Sequence, residues 1–231
     1  MPNWTSIRLY AAGIEDLPIY DEKGNLDYNT VVPMPDYAHD TISPVRKYAI
    51  LGYLITEYGK NNGAKRFKEM LSDCELSAAI ASITDEASFK KMSDEEAVEA
   101  FCKEPFTIGF GEGSRTISAY QLGKNYIDLK LESGCWDWYS WALKYWGVKW
   151  NACDTYVGEG FVDFCAPWGY PEAFFKALAK RFPDKEFRAE AEFEDDPSVL
   201  YVIEFSYKEW NEYSTDNSEY EPSEYFEEVA F

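Results

Sequence analysis

Glu186-Phe187-Arg188-Ala189-Glu190-Ala191-Glu192-Phe193-Glu194 is the stretch that decides the fold class. In an extended chain Phe187, Ala189, Ala191 and Phe193 share one side, and Arg188, Glu190, Glu192 and Glu194 share the other. Alternation with a period of two belongs to a strand that has one face on a core and the other toward water. A second extended run, 199–207, follows directly. Upstream, 171–182 reads as a helix with Pro171 at its first position, where the missing N–H has no intrahelical partner to lose. Before it, 149–157 and 161–166 read as a hairpin across Gly158-Glu159-Gly160. Still earlier, 135–146 is an aromatic-rich helix that ends at Gly147, a natural residue just past a helix C-terminus.

At the other end of the chain, 4–10 alternates as a first strand. Residues 21–27 form a turn around Gly24-Asn25, and 29–32 is a short β-branched run stopped by Pro33-Met34-Pro35. Residues 36–133 read as a mostly helical insert. Ser43-Pro44 is an N-cap and first-position pair for a helix reaching Tyr58 and stopping at Gly59. Helices follow at 64–71 and 75–83, and Ser93-Asp94-Glu95-Glu96 is a capping box for another that ends near Pro105. Gly109, Gly111 and Gly113 punctuate a loop, and 120–131 is helical with Gly123 as its weak point.

The order is strand, insert, helix, strand, strand, helix, strand. This predicts an α+β chain with the ferredoxin-like split βαβ arrangement and an extra strand. Residues 1–35 and 134–207 would form the core, 36–133 the helical insert, and 208–231 an acidic C-terminal tail.

A set of short motifs carries a family resemblance. Met1-Pro2-Asn3-Trp4 opens the chain and Val31-Val32-Pro33-Met34-Pro35 follows the turn. Trp138-Tyr139-Ser140-Trp141 precedes Trp146-Gly147-Val148-Lys149-Trp150-Asn151-Ala152. Phe164-Cys165-Ala166-Pro167-Trp168 and Phe174-Phe175-Lys176-Ala177-Leu178-Ala179-Lys180-Arg181-Phe182-Pro183 come next. Together they resemble the YubB-type ferredoxin-like domain of phage, plasmid and other mobile-element proteins, over roughly residues 1–35 and 135–205. The resemblance implies a ferredoxin-like fold without an iron–sulfur cluster, in the cytoplasm of a bacterial host cell. It brings no catalytic residues.

The composition narrows the function. The chain has 231 residues, 46% of them apolar and 18% aromatic, enough for a packed core. Against 42 Asp and Glu stand 22 Lys and Arg, a net charge of −20. Such a chain is repelled by phosphate backbones and anionic lipid, so neither direct nucleic-acid binding nor membrane association is expected. The longest apolar run, 48–55, is too short to span a bilayer. Five cysteines without a Cys-x-x-Cys pair read as reduced thiols.

Catalytic and metal-binding patterns are missing. His39 is the one histidine, in a Pro- and Asp-rich loop, so neither a His ligand pair nor a well-supported nucleophile–base system can be assembled. Gly109-x-Gly111-x-Gly113 lacks the lysine and hydroxyl of a phosphate loop. Asp21, Asn25 and Asp27 fit a hairpin turn better than a calcium loop. The Trp136, Trp138, Trp141, Trp146 and Trp150 block is not surrounded by basic residues and reads as helix-on-sheet packing. In Ala166-Pro167-Trp168-Gly169-Tyr170-Pro171, one aromatic is a candidate for exposure. No catalytic residue, cofactor or metal is expected.

The charge itself points to binding. Residues 189–231 hold 14 acidic residues and one basic residue, Lys208. The candidate interaction residues are Glu190, Glu192, Glu194, Asp195 and Asp196, then Glu212, Tyr213, Asp216, Glu219, Tyr220, Glu221, Glu224, Tyr225, Glu227 and Glu228. Spaced carboxylates stand in for phosphates, and interleaved aromatics anchor a contact. The expectation is a non-enzymatic inhibitor of a basic, nucleic-acid-binding host protein, of the anti-defence or anti-CRISPR kind, acting by nucleic-acid mimicry. The competing expectation is an enzyme or small-ligand binder with a pocket between insert and sheet.

Overall fold

The computed structural model of the chain describes residues 2–41, 46–70, 81–108 and 114–217. In chain order its elements are β1 (Trp4–Tyr10), α1 (Arg46–Tyr58), α2 (Lys60–Met70), α3 (Asp94–Lys103), β2 (Pro105–Ile108), β3 (Arg115–Ser118), α4 (Ala119–Ser133), α5 (Trp138–Tyr145), β4 (Cys153–Gly158), β5 (Phe161–Pro167), α6 (Glu172–Arg181), β6 (Phe187–Phe193), β7 (Asp196–Phe205) and β8 (Trp210–Asp216). Two compact units emerge: Met1–Met34 with Trp141–Phe231, and Pro35–Ser140.

The first unit is built on a six-stranded sheet in the order β4-β5-β1-β6-β7-β8, antiparallel at every step. Facing residues on neighbouring strands share a side, so the register sorts every side chain. On one side Val162, Leu9, Ala189 and Ile203 form one row, and Phe164, Ile7, Ala191 and Tyr201 the next. α6 lays Phe174, Phe175 and Leu178 on this side, all fully buried. Each such side chain contributes about 2–3 kcal/mol of apolar burial. Phe175 stacks on Phe205, which stacks on Phe187, with centroids 4.9 and 5.2 Å apart.

The connection from α5 to the sheet turns on Gly147, at φ 91°. A Cβ there would stand 2.9 Å from the Glu172 amide nitrogen, so the first turn of α6 is seated directly on this glycine. The Trp146 carbonyl accepts from the Phe174 N–H at 3.1 Å and satisfies one otherwise orphaned donor of that helix.

Tyr28 lies at the centre of the same layer, 4.4 Å from the Phe174 ring and 5.8 Å from that of Trp146. Its hydroxyl is buried and finds no hydrogen-bond partner among the described residues. Burial also pushes its pKa well above the usual tyrosine range. An unpaired buried hydroxyl loses its hydration and gains nothing in return, a penalty of about 1 kcal/mol or more. Tyr28→Phe is therefore expected to raise stability by about 1 kcal/mol in urea unfolding; a loss of stability would reveal a partner for the hydroxyl.

The second unit packs α1 along α4 and α2, with Ala49, Ile50, Leu54, Phe67, Leu122 and Tyr126 buried. Ser93 caps α3 in a full capping box: its hydroxyl accepts from the Glu96 N–H and the Glu96 carboxylate accepts from the Ser93 N–H. Asp40, 4% exposed, accepts from the Arg115 guanidinium and from the Asn125 side-chain amide at 2.8 Å.

Several expectations are corrected. Residues 29–32 are not a strand: Tyr28–Thr30 is a 3-10 turn, because the Asp27 side chain accepts from the Asn29 N–H and closes the turn locally. The glycine loop at 109–113 lies outside the described residues, but β2 and β3 on either side of it pair as a hairpin that the sequence did not reveal. Residues 208–231 are not tail throughout, since Trp210–Asp216 is the edge strand β8, in full register with β7. The Ser43-Pro44 cap and the start of the 75–83 helix also fall outside the described residues, and 81–84 is helical. Among the described residues no helix is long and apolar enough to cross a membrane.

Candidate interaction surface

The face of the sheet opposite α6 carries the chemistry. Three rows of side chains cross it. Tyr156, Asp163, Arg8, Glu190, Val202 and Tyr213 form the middle row. Cys153, Cys165, Ser6, Glu192, Leu200 and Thr215 lie on one side of it. Phe161, Tyr10, Arg188, Glu204 and Asn211 lie on the other.

Charges in these rows pair across strands. Arg8 meets Asp163 in a bidentate fork, its Nε 2.6 Å and its Nη2 2.8 Å from the two carboxylate oxygens. That hydrogen bonding raises the guanidinium pKa further. Arg188 is 2% exposed and lies between Glu190 and Glu204, 3.1 Å from each. The Tyr10 hydroxyl donates to Glu190 at 3.2 Å, and burial lifts its pKa to about 12. Asn217 donates to Glu192 at 2.6 Å.

A groove of about 400 Å³ opens on this face, with Arg8, Asp154, Asp163, Cys165, Glu190 and Glu192 among its walls. Four of these six are carboxylates and one is cationic, so the groove is acidic. Asp154 sits at an irregularity in the β4–β5 register and holds a left-handed backbone, φ 53°. A non-glycine residue in that region is uncommon, though Asp tolerates it better than most.

Cys153 and Cys165 face each other across β4 and β5 as free thiols. Burial, reinforced by the Asp154 charge, raises the Cys153 thiol to about 11. Burial raises Cys165 as well. The reactive species is the thiolate, whose population falls tenfold per pKa unit. Iodoacetamide at pH 8 is thus expected to label Cys153 about a hundredfold more slowly than an unperturbed cysteine. A rate equal to that of a free thiol, read by peptide mass spectrometry, would show that Cys153 is not desolvated.

The sequence-predicted residues do not gather in one patch. Glu190 and Glu192 line the groove, and Tyr213, 40% exposed, stands in the same middle row. Glu194, Asp195 and Asp196 lie at the β6–β7 turn, where Glu194 accepts from the Trp4 N–H at 2.9 Å. Glu212 falls on the opposite, helix-bearing side, because its register partner is Ile203; it accepts from the Tyr170 hydroxyl at 2.7 Å. Asp216 ends β8 opposite Val199. Glu219, Tyr220, Glu221, Glu224, Tyr225, Glu227 and Glu228 lie outside the described residues. Sequence reasoning missed Arg8 and Asp163, whose signal was the alternation in β1 and β5 read together with a strand order it could not supply, and Asp154, which sits at the irregularity in β4 and has no alternation to mark it.

A second feature of the same unit is aromatic. Trp150 and Trp168 are 38% and 52% exposed, with ring centroids 5.5 Å apart. Trp4 lies 6.2 Å from Trp150. By contrast Trp141 and Trp146 are buried, as core packing requires. Among the described residues no cluster of three or more His, Cys, Asp or Glu is placed to hold a metal ion.

No protein-family model matches the chain, and no curated protein matches it. Among solved structures the chain is similar to the crystal structure of a protein api92 from Yersinia pseudotuberculosis, family-model DUF1281. The identity is 11%, the match covers 93% of this chain and 99% of that one, and the TM-score is 0.38.

Proposed function

We propose that the chain is a non-catalytic binding protein whose acidic sheet face engages a basic, nucleic-acid-binding protein of its bacterial host. The acidic groove carries this reading: Asp154, Asp163, Glu190 and Glu192 line it, with Arg8 paired to Asp163 and Arg188 to Glu190. Carboxylates fixed on a sheet are already ordered, so a partner's guanidinium or ammonium group meets them with little further entropy loss. A face of this sign attracts surfaces built to hold phosphates and repels nucleic acid itself.

The strand order β4-β5-β1-β6, with α6 linking β5 to β6, supports reading this half as ferredoxin-like, extended by β7 and β8. The resemblance to YubB-type domains supports a mobile-element setting, and with it an inhibitory, anti-defence role for the contact.

The test is a pull-down with the tagged chain from nuclease-treated bacterial lysate, eluted in a salt gradient. A basic nucleic-acid-binding protein is expected to leave at moderate salt and to be competed off by its own DNA or RNA. The D154N/E190Q/E192Q triple variant should release it at lower salt. If that variant captures and releases the same proteins as the wild type, the acidic face is not the binding surface.

A cavity of about 690 Å³ in the helical unit favours a second reading, small-ligand binding. Ile55, Val98, Cys102 and Tyr120 line it together with Lys60 and Lys103. Small apolar compounds that raise the melting temperature and protect Cys102 from labelling would support it.

A further inference from the structure

Lys149 places its ammonium nitrogen 4.5 Å from the Trp150 ring centroid and 5.3 Å from that of Trp168. One cation therefore faces two indoles that are themselves tilted by 45° and 5.5 Å apart. An indole face carries the negative end of the ring quadrupole and attracts cations more strongly than any other side-chain ring.

The backbone at Trp168 is held against preference. Its φ is 59°, in the left-handed region, where a bulky residue is a strained outlier. The segment is pinned there by Pro167 behind it and by the Trp168 N–H, which donates to the Asn3 carbonyl at 2.7 Å. The strained residue is not packed away, since the indole is 52% exposed. A glycine would fit this conformation without strain. Strain that displays a large aromatic ring to solvent beside a second exposed indole is a presenting device, not a packing solution.

We infer that Trp150 and Trp168 form a cation-receiving aromatic site, in which Lys149 occupies the place that a guanidinium or quaternary ammonium group of a partner takes on binding. The net charge of −20 draws such groups toward the chain from a distance, and the indole pair gives a desolvated anchor at short range. The identity of the macromolecule that carries the cation rests on the function proposed above. The cation selectivity of the indole pair does not, and a small probe measures it separately.

The experiment is a titration of the full-length chain with choline, following its eight indole N–H resonances, with 3,3-dimethylbutan-1-ol as the neutral isostere. Two resonances, assigned through W150F and W168F, are expected to shift saturably with choline and about fivefold more weakly with the alcohol. K149M should tighten choline binding by about fivefold, because the competing ammonium is gone. W168G should abolish the effect while leaving the fold intact, since glycine relieves the strained φ. Equal response to choline and the alcohol, an unchanged response in W168G, or weaker binding in K149M would each overturn the inference. A choline response without any partner in the lysate pull-down would leave the aromatic site standing and remove the proposed macromolecular function.

Discussion

Arg188→Ala is expected to lower the stability of the sheet unit by about 4 kcal/mol, which is a large fraction of the total for a domain. Arg188 stands in a central strand, with Tyr10 on one neighbour and Glu204 on the other, and only 2% of it reaches solvent. Its guanidinium holds Glu190 and Glu204, each 3.1 Å away. Removing it takes the guanidinium from between two carboxylates that it holds close together, and breaking a buried pair in this way typically costs 3–5 kcal/mol. The cause is separable from simple loss of volume. Arg188→Met keeps much of the side chain and should remain destabilised, whereas R188M/E190Q/E204Q should recover at least half of the loss. Guanidinium unfolding followed by tryptophan fluorescence measures all three. A loss under 1 kcal/mol for Arg188→Ala, or no recovery in the triple variant, would show that the pairing contributes little beyond packing.

The same strand shows what a sequence can and cannot reveal. The alternation in 187–193 places Phe187, Ala189 and Ala191 against the helix and Glu190 and Glu192 on the other face, as read. It does not reveal that Arg188 is buried, because burial there comes from strands on both sides, and their identity depends on sheet order. Arg8 and Asp163 are 155 residues apart in the chain and become a bidentate pair only through that order. The acidic groove is non-local for this reason: single residues were visible as charges, but the constellation was not.

Local signals fared according to their strength. The Ser93 capping box and the Gly147 turn are set by a few adjacent residues, and both are present. The edge strand β8 escaped because Asn211, Glu212, Tyr213 and Ser214 are all exposed, which leaves no apolar alternation to detect. Its hold on the sheet is the ladder to β7 together with Trp210, which packs 5.5 Å from Phe205. A short, charged outer strand also discourages edge-to-edge pairing with other chains. Trp168 was legible only as a candidate for exposure; its left-handed backbone has no sequence signature.

Gly123 inverts its own sequence reading. As a glycine inside a helix it argues against α4, since it is worth about 1 kcal/mol less than alanine there. Yet α4 runs unbroken through Ala119–Ser133, and the helix tolerates the glycine because α1 presses on it. A Cβ at position 123 would stand 2.1 Å from the Ala49 carbonyl oxygen and 2.7 Å from the Tyr53 Cβ. Backbone cannot swing aside as a flexible side chain can, so the two helices would have to separate. The separation would loosen the contacts around Ile50, Leu54, Leu122 and Tyr126, all buried in the core of this unit. Gly123→Ala is therefore expected to destabilise the helical unit by about 3 kcal/mol, even after the gain in helix propensity. Amide hydrogen exchange across α1 and α4 reads this unit directly, and exchange in both helices should speed by about a hundredfold. Slower exchange in Gly123→Ala would mean that propensity wins, and that α1 and α4 do not approach closely at this glycine.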